Sequence, residues 1–191
     1  MMNWEKVLRQ RLRHLEPETT YLNNKIAASV LVPIGLRHET AQYEILLTKR
    51  SDKVETHKSQ ISFPGGLFEV RDRDLLETAL RETKEEVGIE KTHIEVLGAL
   101  DPVQTLRDVM IYPWVAKVQF PETFVFNPVE VEKPVFLSLD RLLVEGLKPV
   151  QVSVDEKGLT FKVKSVGISL DNELIWGASA KILEQLLAML R

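Results

Sequence analysis

The sequence contains no cysteine, which removes disulfide frameworks, zinc–thiolate sites and cysteine nucleophiles at once and fits a reducing compartment. It also has no run of about 18 apolar residues, so no membrane-spanning helix is expected. A dominant charge is missing too: 25 Lys and Arg against 28 Asp and Glu leave a net charge of −3. That field is too weak to draw nucleic acid or an anionic membrane to the surface. The opening residues Met1-Met2-Asn3-Trp4-Glu5 lack the apolar centre of a secretion signal. Repeats, low-complexity tracts and linkers are absent. What is there, 191 residues of which 44% are hydrophobic, predicts a single cytoplasmic domain over residues 1–191 with enough apolar material for its own core.

Periodicity supplies the elements. Trp4, Leu8, Leu12 and Leu15 recur at helical spacing among basic residues. They predict an amphipathic packing helix that stops before Pro17, within an N-terminal helical extension over residues 1–24. Glu5 and Glu16 argue against a targeting peptide. The apolar run Ile26 to Ile34 reads as a buried strand, with Tyr43 to Thr48 as its neighbour across a polar turn. A long polar loop, Lys49 to Gln60, leads to Phe63-Pro64-Gly65-Gly66 and then to a helix from about Leu75 to Val87 that Gly88 ends. Strands are expected at Ile94 to Leu100, Ile111 to Phe120, Val135 to Leu137, Gln151 to Val154, Leu159 to Val163 and Val166 to Leu170. A helical turn follows at Ser138 to Leu143. The segment 173–191 reads as a C-terminal helix from about Glu173 to Leu190, with Leu174, Ala178, Ile182, Leu186 and Leu190 on one face. The architecture expected is α/β, with helices on both faces of a mixed sheet.

The helix after the glycine pair carries the chemistry. Leu76, Ala79, Leu80, Thr83 and Val87 form a largely apolar face, while Glu82, Glu85 and Glu86 project from one neighbouring patch. Taken alone, such acids describe a solvated helix face with Glu77–Arg81 and Arg81–Glu85 pairs. Three adjacent carboxylates repel one another, however, and hard cations such as magnesium, which take oxygen ligands, would neutralise them. Gly65 and Gly66 let the backbone approach those carboxylates and offer a carbonyl to the same ion.

The ordered pattern Gly66, Asp72, Arg81-Glu82-Thr83, Glu85-Glu86, Gly88-Ile89 resembles the Nudix hydrolase family, whose signature reads G-x5-E-x7-R-E-U-x-E-E-x-G-U. Three positions depart from it. Asp72 stands where Glu is usual, the spacing to Arg81 is one residue longer, and Thr83 replaces an aliphatic residue. The insertion leaves Asp72 and Asp74 both available as the first acid. The resemblance implies an α/β/α sandwich and hydrolysis of a nucleoside diphosphate linked to another group, with Mg2+ or Mn2+ as cofactor. It implies Glu82 and Glu86 as principal metal ligands, Glu85 as a ligand directly or through water, and the carbonyl of Gly65 or Gly66 as a further one. Arg81 would hold Glu82 or the first acid in place, and Glu82 or Glu85 would act as the local base. A later loop acid often completes such sites; Glu130 is favoured here, with Glu132 second.

Upstream, Leu46-Leu47-Thr48-Lys49-Arg50-Ser51, followed at preserved spacing by Phe63-Pro64-Gly65-Gly66, is similar to the extra signature of the coenzyme A pyrophosphatase branch, L-L-T-x-R-[SA]-x3-R-x3-G-x3-F-P-G-G. Glu55 and Ser59 stand where Arg and Gly are expected. The segments Ala27 to Pro33, Asn127 to Leu143 and Ile175 to Leu183 are similar to that branch as well. The resemblance implies cleavage of coenzyme A or a derivative into 4′-phosphopantetheine and adenosine 3′,5′-bisphosphate, with Arg50, His57 and Gln60 at the substrate. Glu55 reverses the sign of one expected contact, with Lys53 and Lys58 close enough in sequence to compensate. Another nucleoside diphosphate derivative, such as a nucleotide sugar, ADP-ribose or a dinucleotide, is the alternative; a non-catalytic binding module on the same fold is a further one. His14, His38 and His93 show no metal spacing. Trp114 and Trp176 read as core, and Arg107 and Asp108 as thin candidates for ligand contact. A homodimer is the expected assembly.

Overall fold

The computed structural model describes residues 3–13, 26–52, 60–106, 108–156, 159–170 and 172–191. In chain order these form α1 (Trp4–Arg11), β1 (Ala27–Arg37), β2 (Gln42–Arg50), β3 (Ile61–Ser62), β4 (Gly65–Leu67), α2 (Leu75–Val87) and a 3-10 turn (Lys91–His93). There follow β5 (Ile94–Ala99), β6 (Val103–Gln104), β7 (Met110–Val118), β8 (Val131–Ser138), α3 (Leu139–Glu145), β9 (Lys148–Glu156), β10 (Leu159–Leu170), β11 (Glu173–Trp176) and α4 (Gly177–Leu190).

The apolar run that opens β1 is buried on both faces, because helices cover the sheet from both sides. Alternate side chains go to opposite cores. Val30, Val32 and Ile34 of β1, Ile45 and Leu47 of β2 and Val115 of β7 meet Leu8 of α1, Leu142 of α3 and Ile182, Leu183 and Leu186 of α4. Leu31, Leu46, Trp114 and Ala116 point the other way, against Leu75, Ala79, Leu80 and Val87 of α2. The architecture is therefore an α/β/α sandwich around a mixed sheet, as expected.

One irregularity of that sheet makes the site. Strand β1 runs parallel to β7 along its length but is antiparallel to β2 only from Ile34↔Ile45 to Arg37↔Gln42. Beyond Ile45 the two strands part. β4 then pairs with β1, Ser29 opposite Gly66, and β3 pairs with β2, Thr48 opposite Ser62. The Phe63-Pro64 step thus crosses the fork, and the Pro64 carbonyl accepts the Leu31 N–H at 2.9 Å.

Four expectations are corrected. The first helix ends at Arg11; Leu12 is extended, and Arg13 exchanges backbone hydrogen bonds with Ala99 at the end of β5. Leu15 lies outside the described residues. The C-terminal helix begins at Gly177, because Glu173–Trp176 is a strand paired with β10; Leu174 shares the helical spacing only by coincidence. Leu159 to Val163 and Val166 to Leu170 are one strand, since Lys164 and Ser165 stay in register with Gln151 and Val150 of β9. Finally, β9, β10 and β11 form a second, antiparallel sheet. No helix among the described residues is long and apolar enough to cross a membrane.

Candidate metal and catalytic site

Helix α2 is fixed at both ends. The Asp74 carboxylate caps its start by accepting the Glu77 N–H at 2.8 Å. At the other end Gly88 N–H donates to the Lys84 carbonyl. The apolar stripe on the sheet leaves Glu82 and Glu86 facing Gly65 and Gly66 of β4. A side chain on Gly66 would put its first carbon 2.3 Å from Glu82 Oε1, and one on Gly65 would meet the Ser29 carbonyl at the same distance. Glycine is required at both positions for backbone and carboxylate to approach so closely.

Carboxylate oxygens of Glu82, Glu86 and Glu130 lie within 4.8 Å of one another. Glu130 arrives through local hydrogen bonds. Asn127 N–H donates to the Glu86 carbonyl, Asn127 Nδ2 donates to Glu130 Oε1 at 3.2 Å, and Ser51 N–H donates to the Glu130 carbonyl at 2.8 Å. Asn127 thus ties the end of α2 to the third acid. Glu132 lies elsewhere: it pairs with Lys49 at 3.2 Å. Glu85 is outside the three-acid group and pairs with Arg81 at 3.1 Å.

Arg81 organises the flank of the cluster. Its Nε and Nη2 donate to the two oxygens of Asp72 at 2.8 and 2.9 Å, and its Nη1 donates to Glu82 Oε1 at 2.8 Å. Thr78 Oγ1 and the Glu69 N–H complete the donors around Asp72. The acid that Arg81 holds is therefore Asp72, while Asp74 caps the helix and pairs with Arg73. Glu77 accepts from the Arg73 N–H and has no pair with Arg81. The guanidinium beside Asp72 holds its carboxyl down at about 2 despite burial, and the same contact raises Arg81.

The other acids shift in the opposite direction. Glu86 is only 3% exposed, and burial pushes its carboxyl up to about 8 against the opposing pull of Arg50. Burial also raises Glu82, with Arg81 opposing it. Three convergent carboxylates, two of them desolvated, in a cradle that a single methyl on Gly66 would fill, fit a hard divalent cation with oxygen ligands. The arrangement is a buried acidic cluster of the kind a divalent-metal site needs.

Of the expected substrate residues, Arg50 lies beside this cluster, with Nη1 3.7 Å from Glu86 Oε1. Gln60 gives its carbonyl to the Arg50 N–H. His57 lies outside the described residues, as do Lys53, Glu55, Lys58, Ser59 and Arg107. Trp114 is buried and donates to Ser29 Oγ at 3.1 Å, a core role; Trp176 is half-buried at the start of α4. His38 and His93 are exposed and outside the acidic group, and Asp108 accepts from Gln104 Nε2.

Residues 26–156 match the NUDIX domain family. The chain belongs to the Nudix family. A Yersinia enterocolitica protein named "uncharacterized Nudix hydrolase NudL" is 32% identical over 185 residues, 95% of this chain and 90% of its own length. Its Pectobacterium atrosepticum namesake is 31% identical over 172 residues, 90% of this chain and 86% of that one. Among solved structures, a MutT/nudix family protein from Enterococcus faecalis shares the fold with a TM-score of 0.54 at 17% identity, covering 97% of this chain and 73% of that one. A C. elegans Ap4A hydrolase binary complex gives 0.51 at 21% identity, covering 61% and 83%. The activity that goes with this Nudix domain is hydrolysis of a nucleoside diphosphate-linked substrate.

Proposed function

We propose that this Nudix hydrolase cleaves the diphosphate linkage of coenzyme A or a derivative, releasing 4′-phosphopantetheine and adenosine 3′,5′-bisphosphate, with Mg2+ or Mn2+ as cofactor. The observation that carries the hydrolytic part is the convergence of Glu82, Glu86 and Glu130 beside Gly66. Coenzyme A rests on the Leu46 to Ser51 and Phe63 to Gly66 signature, with the similar segments Ala27 to Pro33, Asn127 to Leu143 and Ile175 to Leu183 beside it.

In this reading Glu82, Glu86 and Glu130 hold the cation, the Gly66 carbonyl adds a backbone oxygen, and Glu85 contributes through water. When bound, the cation supplies charge neutralisation at the diphosphate oxygens and acidifies a water. Arg81 fixes the orientation of Glu82 through its Nη1 hydrogen bond. Either Glu82 or Glu85 accepts the proton of the attacking water; Glu85 has the freer access to solvent, being 45% exposed at the side chain against 14%. Arg50, His57 and Gln60 meet the anionic substrate.

A second reading, hydrolysis of a nucleotide sugar, ADP-ribose or a dinucleotide, is favoured by Glu55, an anion in the segment expected to meet phosphate. One screen separates the two. Coenzyme A, acyl-coenzyme A, ADP-ribose, nucleoside diphosphate sugars and dinucleotides are incubated with Mg2+ or Mn2+, and the products are identified by mass. Preferential release of adenosine 3′,5′-bisphosphate supports the first reading. Cleavage of another member supports the second, and no metal-dependent cleavage of any overturns both.

A further inference from the structure

Arg50 does not sit in its cleft as a free phosphate receptor. Its guanidinium Nη1 lies 3.7 Å from Glu86 Oε1, and Glu86 is an acid almost entirely removed from water. The Arg50 Nε is buried and has no hydrogen-bond partner among the described residues. The guanidinium is therefore held by charge more than by directed hydrogen bonds. The unpartnered Nε leaves the side chain without one of the oriented donors that fix an arginine elsewhere.

The backbone explains how the side chain reaches this place. Strand β2 is paired with β8 as Lys49↔Lys133 and then Arg50↔Val131, so Glu132 is an extra residue on β8, a β-bulge. Bulges bend a strand and re-aim the side chains beside them. Here the bulge separates two sets of charges. Lys49 goes outward to Glu132 and Glu173, at 3.2 and 3.0 Å, while Arg50 turns to Glu86. The next residue, Ser51, holds the Glu130 carbonyl through its N–H. One short segment thus places a cation and an acid ligand on the same cluster.

We propose that Arg50 is the resident counter-ion of the acidic cluster, a positioning residue that stands beside Glu86 and balances the cluster's charge until a divalent cation displaces it. The inference rests on the assignment of Glu82, Glu86 and Glu130 as metal ligands. A guanidinium and a divalent cation drawn to the same Glu86 oxygen repel each other in a site of low dielectric, so each weakens the other's hold. Cation binding therefore displaces the Arg50 head group from Glu86. The site accordingly fills in order, cation first and anionic substrate second.

The test is direct cation binding, without substrate. Mn2+ alone is titrated into the full-length protein, wild type, Arg50→Met and Arg50→Lys, with the dissociation constant read by calorimetry or by the paramagnetic signal of free Mn2+. Competition predicts that Arg50→Met binds Mn2+ about tenfold more tightly than wild type, because a repelling charge has gone. Arg50→Lys, which keeps the charge, stays within about threefold of wild type. A residue that merely braces the site gives the opposite sign: its removal weakens Mn2+ binding. Unchanged or weaker binding in a folded Arg50→Met overturns the proposal while leaving the metal-site reading intact. If wild type and Glu86→Gln bind Mn2+ equally, the ligand assignment falls and the proposal with it.

Discussion

Arg81 grips both oxygens of Asp72, Nε at 2.8 Å and Nη2 at 2.9 Å, while its remaining nitrogen reaches Glu82. One guanidinium thus joins the loop acid to a cluster acid, and the loop acid is nearly buried, its side chain only 2% exposed. Removing the charge of Asp72 leaves Arg81 without its bidentate partner. Asp72→Asn is expected to destabilise the protein by roughly 3 kcal/mol and to lower turnover at least tenfold by releasing Glu82. Asp74→Ala removes only a helix cap and costs about 1 kcal/mol. Urea unfolding and steady-state rates on both variants check the contrast; equal effects would show that Asp72 has no special hold on the site.

The same pair sets a pH dependence. A carboxyl held at about 2 in the fold and near 3.9 in the unfolded chain favours folding fully above the unfolded value. That contribution is lost as pH falls through the folded one. Wild type should therefore lose more unfolding free energy than Asp72→Asn between pH 5 and about 2. Parallel pH curves for the two proteins would count against it.

Glu86 runs the other way. Its carboxyl is raised by burial to about 8 in the fold, well above the unfolded value near 4.3. Folding is thus favoured most below that unfolded value and loses ground as pH rises through about 8. In EDTA, Glu86→Gln should be more stable than wild type at pH 9 and nearly equal to it at pH 4. The same variant should lose turnover by orders of magnitude, a case of function held at the expense of stability. Denaturation curves at the two pH values read the first effect, and the rate with Mg2+ reads the second.

Gly66→Ala tests the cradle. Its new methyl falls 2.3 Å from Glu82 Oε1, so the carboxylate must move. A loss of about a hundredfold in turnover is expected, with a far-ultraviolet circular dichroism spectrum like that of wild type. Retained activity would mean that Glu82 works from another position.

Glu130 and Glu132 differ by two positions and by everything around them. Glu130→Gln should weaken Mn2+ binding about tenfold or more, whereas Glu132→Gln removes only a partly exposed pair with Lys49 and should leave binding within about twofold. Titrating Mn2+ into each variant decides it.

Much of this architecture is legible along the chain because local rules agree with the fold. The run from Ile26 to Ile34 reads as a buried strand and is one, and α2 ends at Gly88, where its glycine places the stop. The Glu82, Glu85 and Glu86 patch follows from helical spacing alone. What the chain hides is non-local. The choice between Asp72 and Asp74 depends on which one Arg81 can reach across a loop. Arg50 faces Glu86 beside a bulge in the pairing of β2 with β8, which no periodicity encodes. The start of α4 is hidden for a different reason: Leu174 matches the helix spacing by chance while Ile175 pairs with Ile168 in a strand.

Residues 3–13 have a role beyond filling a core. Strand β5 is the outer strand of the large sheet, with backbone groups available to any passing strand. The N-terminal segment covers it: α1 packs there, Arg9 pairs with Glu95, Lys117 with Glu5 and Arg13 with Asp101, and the Arg13 backbone bonds Ala99. A protein trimmed of these residues would expose both that edge and the apolar bed of Trp4 and Leu8, the combination that invites strand-to-strand aggregation. The short leading helix therefore shields a sheet edge, remote from the Glu82, Glu86 and Glu130 cluster.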